Sequence, residues 1–250
     1  MSGSIRVGIG GWVYPPWRGA FYPPGLPQAR ELSYASRQVT AIEINGTFYG
    51  AQKPASFRRW HDDTPEDFVF SLKGPRYATH RADLAAAGGS IDRLFSSGVL
   101  ELRDKLGPIL WQFAPWTRYE EGGFTAFLEL LPRELGGRAL RHVVEVRHRS
   151  FVSPSFIACL RRHSVAIAFV DDDNYPAFED VTADFVYARL RRCIEDEPLG
   201  YPADALDCWA ERFRRLAEEE RRDCFVYFIN GAKLRAPAAA AALLQRLRAD

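Results

Sequence analysis

Residues 41–49 contain the most informative pattern in the chain and run Ala41-Ile42-Glu43-Ile44-Asn45-Gly46-Thr47-Phe48-Tyr49. Apolar and polar residues alternate along this stretch, which predicts a β-strand. Ile42 and Ile44 share one face, and Glu43, Asn45 and Thr47 share the other. If both faces of the sheet are covered, the polar side chains point into an enclosed space, where an unpaired carboxylate is costly. We therefore expect partners for Glu43 and Asn45 on other strands.

Length and composition are those of an ordinary globular protein. The chain has 250 residues, of which 47% are hydrophobic and 26% are charged, and this length fits one large α/β domain or two small ones. No low-complexity linker or charge run divides it, so we predict a single domain over residues 1–250. The 33 Lys and Arg residues against 32 Asp and Glu give a formal net charge of +1, which does not indicate a polyanionic partner.

Three sequence features predict a cytoplasmic location. The four cysteines, at positions 159, 193, 208 and 224, show no CxxC spacing, which is typical of reduced thiols. The first residues lack the basic region and apolar core of a secretory signal. No run approaches the roughly 18 apolar residues of a membrane span, so we expect no membrane partner.

Strands and helices alternate along the whole chain. Eight segments are predicted to be strands, namely 5–12, 41–49, 68–74, 109–113, 142–148, 165–171, 185–190 and 224–229. The spacing of apolar residues predicts helices over 26–38, about 54–61, 124–135, and from Ser90 to about 106. Ser153, Asp204 and Pro237 would begin the last three helices. Residues 172–184 contain no convincing helix.

Eight strands alternating with helices in about 250 residues predict an α/β fold of the TIM (β/α)8 barrel type. A doubly wound open sheet is the alternative. That fold usually has fewer strands and a glycine-rich phosphate turn after the first strand. Gly8-Ile9-Gly10-Gly11-Trp12 does not have the G-x-G-x-x-G spacing, which favours the barrel.

Charged and amide side chains lie at or near the carboxyl ends of these strands, where barrel enzymes place their chemistry. In strand order they are Glu43, Asn45, Lys73, Gln112, Glu145, Arg147, Asp171, Arg189 and Asn230. The three acids and three bases form a nearly neutral set, as buried charges require partners. Structural ion pairs would also explain them. Because apolar residues would usually be at least as stable there, a ligand or reaction site is favoured.

The charged residues suggest specific roles. Glu43 and Glu145 are candidate acid–base groups, and Lys73, Arg147 and Arg189 would bind an anion or stabilise developing negative charge. Lys73 could instead form a Schiff base if burial lowered its pKa, although neighbouring acids would act in the opposite direction. The amides that would orient a ligand are Asn45, Gln112 and Asn230.

Aromatic and histidine residues provide further candidates. Trp12, Trp17 and Tyr49 could stack on a sugar or nucleobase at the barrel mouth, or the rings of the 12–23 loop could pack against one another as a hydrophobic cap. His80 and His148 could reach the mouth as acid–base groups. No HxH, HxxxH or HExxH spacing occurs, so we expect neither a metal ion nor another cofactor.

Two stretches carry a family resemblance, Glu43-Ile44-Asn45-Gly46-Thr47-Phe48-Tyr49 and Glu145-Val146-Arg147-His148. They occur with Trp17, Lys73, Thr79-His80, Gln112, Asp171, Tyr187-Ala188-Arg189 and Tyr227-Phe228-Ile229-Asn230. Together they resemble the DUF72 family, also called YecE-like, over nearly the whole chain. Gly46 stands where that family usually has serine, and an alanine run after Pro237 replaces a typical asparagine–alanine pair. The resemblance implies a TIM barrel but no established reaction.

These patterns favour a metal-independent barrel enzyme, a hydrolase or lyase that acts on a small polar or anionic, sugar- or nucleotide-like compound. A nucleic-acid-binding barrel similar to the barrel endonucleases of DNA repair is one alternative. A barrel that binds a small ligand without turnover is another.

Overall fold

The computed structural model describes residues 2–248. Its eight parallel strands are β1 (Ile5–Gly10), β2 (Ala41–Ile44), β3 (Val69–Lys73), β4 (Leu106–Gln112), β5 (His142–Glu145), β6 (Ala166–Asp171), β7 (Phe185–Leu190) and β8 (Asp223–Phe228). Each strand pairs with its neighbours in chain order, and β8 closes the barrel on β1. The predicted (β/α)8 barrel is therefore confirmed.

Helices follow the strands around the barrel. The α-helices are α1 (Glu31–Ala35), α2 (Gly46–Tyr49), α3 (Pro54–Asp62), α4 (Arg76–Thr79), α5 (Gly88–Phe95), α6 (Glu121–Glu129), α7 (Pro154–His163), α8 (Ala203–Glu218) and α9 (Ala236–Arg248). Short 3-10 segments occupy Pro15–Trp17, Gln28–Arg30, Leu84–Ala87, Val99–Lys105, Arg149–Phe151 and Lys233–Arg235. As expected, residues 172–184 contain no helix.

Alternation along the strands separates two apolar layers. Ile42, Ile44 and Val144 belong to the large layer between the strands and the surrounding helices. A smaller cluster fills the barrel interior and contains Ala41, Leu110, Val143, Ala166, Ala168, Val170, Phe185, Tyr187, Phe225, Tyr227 and Ile229. Because side chains alternate across a strand, Glu43 lies on the interior side with Ala41.

The strand predicted over 41–49 is only half as long as expected. It ends at Ile44, because Asn45 has helical backbone angles (φ −83°, ψ −22°) and α2 follows directly. The hydroxyl of Thr47 donates a hydrogen bond to the carbonyl of Lys73 (2.7 Å). This bond fixes α2 over the end of β3. Asn45 and Thr47 therefore do not extend the interior row that Glu43 begins.

The helix predicted from Ser90 to about 106 is also wrong in its bounds. It begins at Gly88 and ends at Phe95, and Gly98 then takes a left-handed conformation (φ +100°) that interrupts the helical path. Gly107 and Pro108 lie inside β4. A register shift between Phe70 and Leu72 of β3 accommodates them, as expected for a proline that cannot donate to the ladder.

Other helix bounds differ as well. The helix predicted over 124–135 ends at Glu129, and a small antiparallel hairpin pairs Glu134–Leu135 with Arg138–Ala139. Both glycines of its turn, at 136 and 137, have positive φ. The helix predicted over 26–38 is reduced to α1. Ser153 caps α7 as predicted, accepting a bond from the amide of Phe156 (3.3 Å).

Gly74, directly after β3, lies against the buried indole of Trp111. A Cβ added at Gly74 would lie 2.3 Å from that ring, and Trp111 is fixed by a hydrogen bond from its Nε1 to His142 Nδ1 (3.1 Å). We predict that Gly74→Ala lowers the free energy of unfolding by about 1–3 kcal/mol through overpacking, measured by urea denaturation.

Gly89→Ala is the matched control, since a Cβ at Gly89 of α5 meets nothing within 4 Å. It should leave stability unchanged or raise it by up to about 1 kcal/mol. Equal losses in the two variants would contradict close packing between β3 and Trp111.

Candidate active site at the carboxyl ends of the strands

A buried guanidinium lies at the centre of the barrel interior. Arg189 of β7 reaches across the barrel to Glu43 of β2 with two hydrogen bonds, Nε to Oε2 (3.0 Å) and Nη2 to Oε1 (3.1 Å). Its Nη1 donates to Glu145 of β5. All three side chains are buried. Burial alone would lower the pKa of Arg189, but the carboxylates of Glu145 and Glu43 outweigh it and raise that pKa above its ordinary value.

Glu145 connects this centre to the barrel opening. Its Oε1 accepts hydrogen bonds from Arg147 Nε (2.8 Å) and from Gln112 Nε2 (2.9 Å). Burial would raise the pKa of Glu145, but Arg189, Arg147 and Arg191 together lower it to about 2. The carboxylate is therefore ionised at neutral pH, held by two arginines and one amide.

Lys73 is the cation of this group that lacks a carboxylate partner among the described contacts. Its Nζ donates to Gln112 Oε1 (3.0 Å) and lies 4.2 Å from the centroid of the Phe48 ring. The residue is only 6% exposed. Burial, followed by the charge of Arg189, lowers the pKa of Lys73 to about 8 despite the opposing charges of Glu43 and Glu145. The acids act in the direction expected from the sequence, but burial and the charge of Arg189 outweigh them.

Two tyrosines form the floor below Arg189. The phenol of Tyr187 donates to Glu43 Oε2 (2.9 Å), and burial followed by the charge of Glu43 raises the pKa of Tyr187 well above its ordinary value. Tyr227 bonds to Ser71 (2.7 Å), and its ring lies 5.1 Å from that of Tyr187. Sequence reasoning did not assign Tyr187 a role, although its position two residues before Arg189 places it on the same face.

Arg147 and Arg191 flank the ring of Tyr175, which lies in the helix-free 172–184 connection. The guanidinium of Arg147 lies 4.7 Å from the centroid of the Tyr175 ring, and that of Arg191 lies 5.2 Å from it. With its amide oxygen turned toward Arg191, Asn230 accepts from Arg191 Nη2 (2.8 Å). Tyr175 and Arg191 were not singled out from the sequence, because loop residues carry no periodic pattern that indicates their direction.

Two predicted site residues bond to partners outside this group. Asp171 faces away from the interior, because Ala168 and Val170 take the inward positions of β6. Its carboxylate pairs with Arg192 (2.8 Å) and accepts from Tyr201 (2.9 Å). The ring of His148 bonds locally to Ser150, through its hydroxyl (2.9 Å) and its amide (3.1 Å). Asp171 therefore fastens the loops outside the barrel rather than joining the inward row, and His148 caps a 3-10 turn.

The tryptophans of the 12–23 loop do not form a stacking rim. Trp17 is fully buried among Tyr14, Phe21 and Tyr22, and its Nε1 donates to the carbonyl of Lys233 (2.9 Å). Trp12 packs edge-on against Trp60 (5.4 Å between ring centroids) and Phe70 (6.4 Å) in the outer layer. The alternative interpretation, a hydrophobic cap, describes this loop.

Other rings are exposed beside Lys73. Phe48 contacts Tyr49 and His80 at centroid distances of 5.2 and 5.3 Å, and His80 contacts Trp116 at 5.5 Å. Tyr49 is 66% exposed and Trp116 is 70% exposed. Burial, then the charges of Arg147, Lys73 and Arg76, lower the pKa of His80. His80 is therefore neutral at pH 7. The exposed tryptophan beside it is Trp116, whereas Trp17 is buried and Trp12 packs against Trp60.

A family model described as "Protein of unknown function DUF72" matches residues 6–250. The chain belongs to the DUF72 family. It is 26% identical over 157 residues to the UPF0759 protein YunF of Bacillus subtilis, covering 61% of this chain and 54% of YunF. It is 30% identical over 148 residues to the UPF0759 protein YecE of Escherichia coli K12, covering 59% of this chain and 50% of YecE. The matched region spans about half the length of these relatives.

Solved structures show the same fold. A DUF72 family protein from Thermotoga maritima has a TM-score of 0.77 at 21% identity, covering 99% of this chain and 100% of that chain. One from Enterococcus faecalis has a TM-score of 0.72 at 16% identity, covering 98% and 97%. SacUVDE has a TM-score of 0.55 at 11% identity, covering 87% and 86%. At these identities the likeness concerns the fold alone.

Other sites in this DUF72 chain are less suited to chemistry. A cleft of about 800 Å³ lies at the amino ends of the strands, where Arg141 pairs with Asp223 (2.7 Å). In TIM barrels the residues at this end usually serve stability, and the chemistry takes place at the carboxyl ends of the strands.

Within residues 2–248, no group of three or more His, Cys, Asp or Glu side chains is placed to hold a metal ion. In the same range, no helix combines the length and apolar character that a membrane span requires.

Replacing Arg189 should strongly destabilise the folded protein. We predict that Arg189→Met lowers the free energy of unfolding by about 3–5 kcal/mol, because Glu43 and Glu145 would remain buried without their shared partner. Denaturant titration at pH 7 measures this loss.

Arg161→Met is the matched control, since Arg161 forms an exposed ion pair with Asp180 (3.1 Å). Its loss should change stability by less than about 1 kcal/mol. A similarly small effect of Arg189→Met would contradict the central position of this guanidinium.

Proposed function

We propose that this protein is a metal-independent hydrolase or lyase that acts on a small anionic compound at the carboxyl ends of β3, β4 and β5. The observation that carries this proposal is the surplus of positive charge around Lys73. Glu43 and Glu145 supply two carboxylates, whereas Lys73, Arg147 and Arg189 supply three cationic groups. A bound anion would neutralise the surplus in a region where charge is poorly screened.

The contacts divide the charged residues into two roles. Glu43 and Glu145, which the sequence suggested as the acid–base pair, hold Arg189 and Arg147 in position. With a pKa of about 2, Glu145 is a weak proton acceptor at neutral pH. Lys73, with a pKa of about 8, can exchange a proton near neutral pH, and His80 stands nearby as a neutral imidazole. We therefore assign proton transfer to Lys73 and His80.

The exposed rings support a cyclic substituent on the ligand. Tyr49 and Trp116 flank Phe48 and His80 at the opening, and aromatic faces stack on sugars and nucleobases. Gln112, which bonds to both Lys73 and Glu145, is placed to orient polar groups. A sugar phosphate or nucleotide combines the anionic and cyclic parts that this opening would accept.

The test is a screen of sugar phosphates, nucleotides and hydroxy acids for binding and for product formation. We predict that Lys73→Met weakens binding of the selected anion about tenfold or more, the equivalent of one lost charge-assisted hydrogen bond. Calorimetry measures affinity, and chromatography of the reaction mixture measures turnover.

Arg161→Met again serves as the control, because it removes a positive charge outside the barrel opening and should bind as the wild type does. Equal affinity in the wild type and Lys73→Met would contradict the anion site. Binding without any turnover would instead identify a ligand-binding barrel that is not an enzyme.

Nucleic acid is a second candidate ligand, favoured by the exposed rings of Tyr49 and Trp116. A salt titration separates the two cases. Binding of a single strand through several phosphates should weaken steeply as salt increases, whereas one small anion should show a shallow dependence.

A further inference from the structure

Lysine is rare in this chain. Four of the 33 Lys and Arg residues are lysines, at positions 53, 73, 105 and 233, and the other 29 are arginines. Lys105 is fixed by the carbonyls of His61 and Thr64, and Lys233 lies over the rings of Tyr14 and Trp17 at 4.8 and 5.6 Å. Lys53 is exposed. Lys73 is the lysine that combines burial with a place in the charged group.

The burial of Lys73 lets it exchange a proton near neutral pH, because burial outweighs the effect of the nearby carboxylates. An arginine would remain protonated at any physiological pH, whereas a buried lysine can release its proton. The Nζ of Lys73 has a neutral amide oxygen and an aromatic ring as its described partners. The carboxylates that could hold it as an ammonium are bound by Arg189 and Arg147.

We propose that Lys73 forms an imine with an aldehyde or ketone that carries a carboxylate or phosphate group. This inference rests on the proposed function, because it places the carbonyl compound at the same opening. Arg147, whose guanidinium is partly exposed beside Glu145, would hold the anionic group. The reaction class that follows is a lyase, since a protonated imine accepts the electrons of a bond broken at the adjacent carbon.

The step is balanced without an oxidant or reductant. The Nζ lone pair of Lys73 attacks the carbonyl carbon, a C–N bond forms, and the carbonyl π electrons move to oxygen, which takes a proton. The nitrogen loses a proton, the hydroxyl departs as water with one further proton, and a C=N bond forms. His80 is placed near Phe48 to carry these protons, and the Phe48 ring stabilises positive charge on nitrogen in the ammonium and in the protonated imine.

Reductive trapping tests the inference on the full chain. The protein is incubated at pH 7.5 with pyruvate or glyceraldehyde 3-phosphate and sodium cyanoborohydride, which delivers hydride to the imine carbon and fixes a secondary amine. At this pH about a quarter of Lys73 is unprotonated, against about 0.1% of an ordinary lysine of pKa about 10.4. Mass spectrometry of peptides should therefore show labelling of Lys73 at least about tenfold above that of Lys53.

Variants and analogues make the outcomes distinct. Lys73→Arg and Lys73→Met should lose the label. Lys53→Arg should keep the label on Lys73. Lactate and glycerol 3-phosphate, which lack the carbonyl, should compete with the labelling. If these four compounds bind and Lys73 remains unlabelled, the imine is overturned while the anion site stands. If none of them binds and label falls on Lys53 alone, both proposals fail.

Discussion

The fork of hydrogen bonds between Arg189 and two glutamates is the interaction on which the rest of the site depends. Glu43 lies on β2 and Glu145 on β5, and the guanidinium on β7 connects them through the barrel interior. A buried ion group of this kind seldom adds stability over an apolar core. Its consequence is positional: each carboxylate is turned toward an arginine, and Gln112 is turned so that its oxygen faces Lys73.

This arrangement sets the chemistry available at the opening. With both carboxylates committed, burial lowers the pKa of Lys73 to about 8, which turns an ordinary cation into a group that can exchange protons or attack carbon. Thr47 donates to the carbonyl of Lys73, so α2 holds β3 at the point where the lysine emerges. Phe48, on the same helix, then lies under the ammonium. The rings of His80 and Trp116 continue outward from it.

The sequence alone predicted the barrel and the inward row of charges, because both depend on periodicity. Alternation along 41–44 and 142–145 placed Glu43 and Glu145 correctly inside. It failed at Asn45, where the chain turns from strand to helix, and at Asp171, where the register of β6 points the last side chain outward. The loop tryptophans could not be placed, because mutual packing and stacking on a ligand require the same residues. Neither could Tyr175, whose position depends on a connection without periodic structure.

The pKa of Lys73 tests the central claim most directly. Reductive methylation with ¹³C-formaldehyde labels the four lysines, and ¹³C NMR follows each signal through a pH titration, with Lys73→Arg assigning the signal of interest. If Arg189 and Arg147 hold both carboxylates, the Lys73 signal titrates with a midpoint near pH 8. A midpoint in the ordinary lysine range, about 10.4, would show that a carboxylate still pairs with Lys73 and would contradict this account.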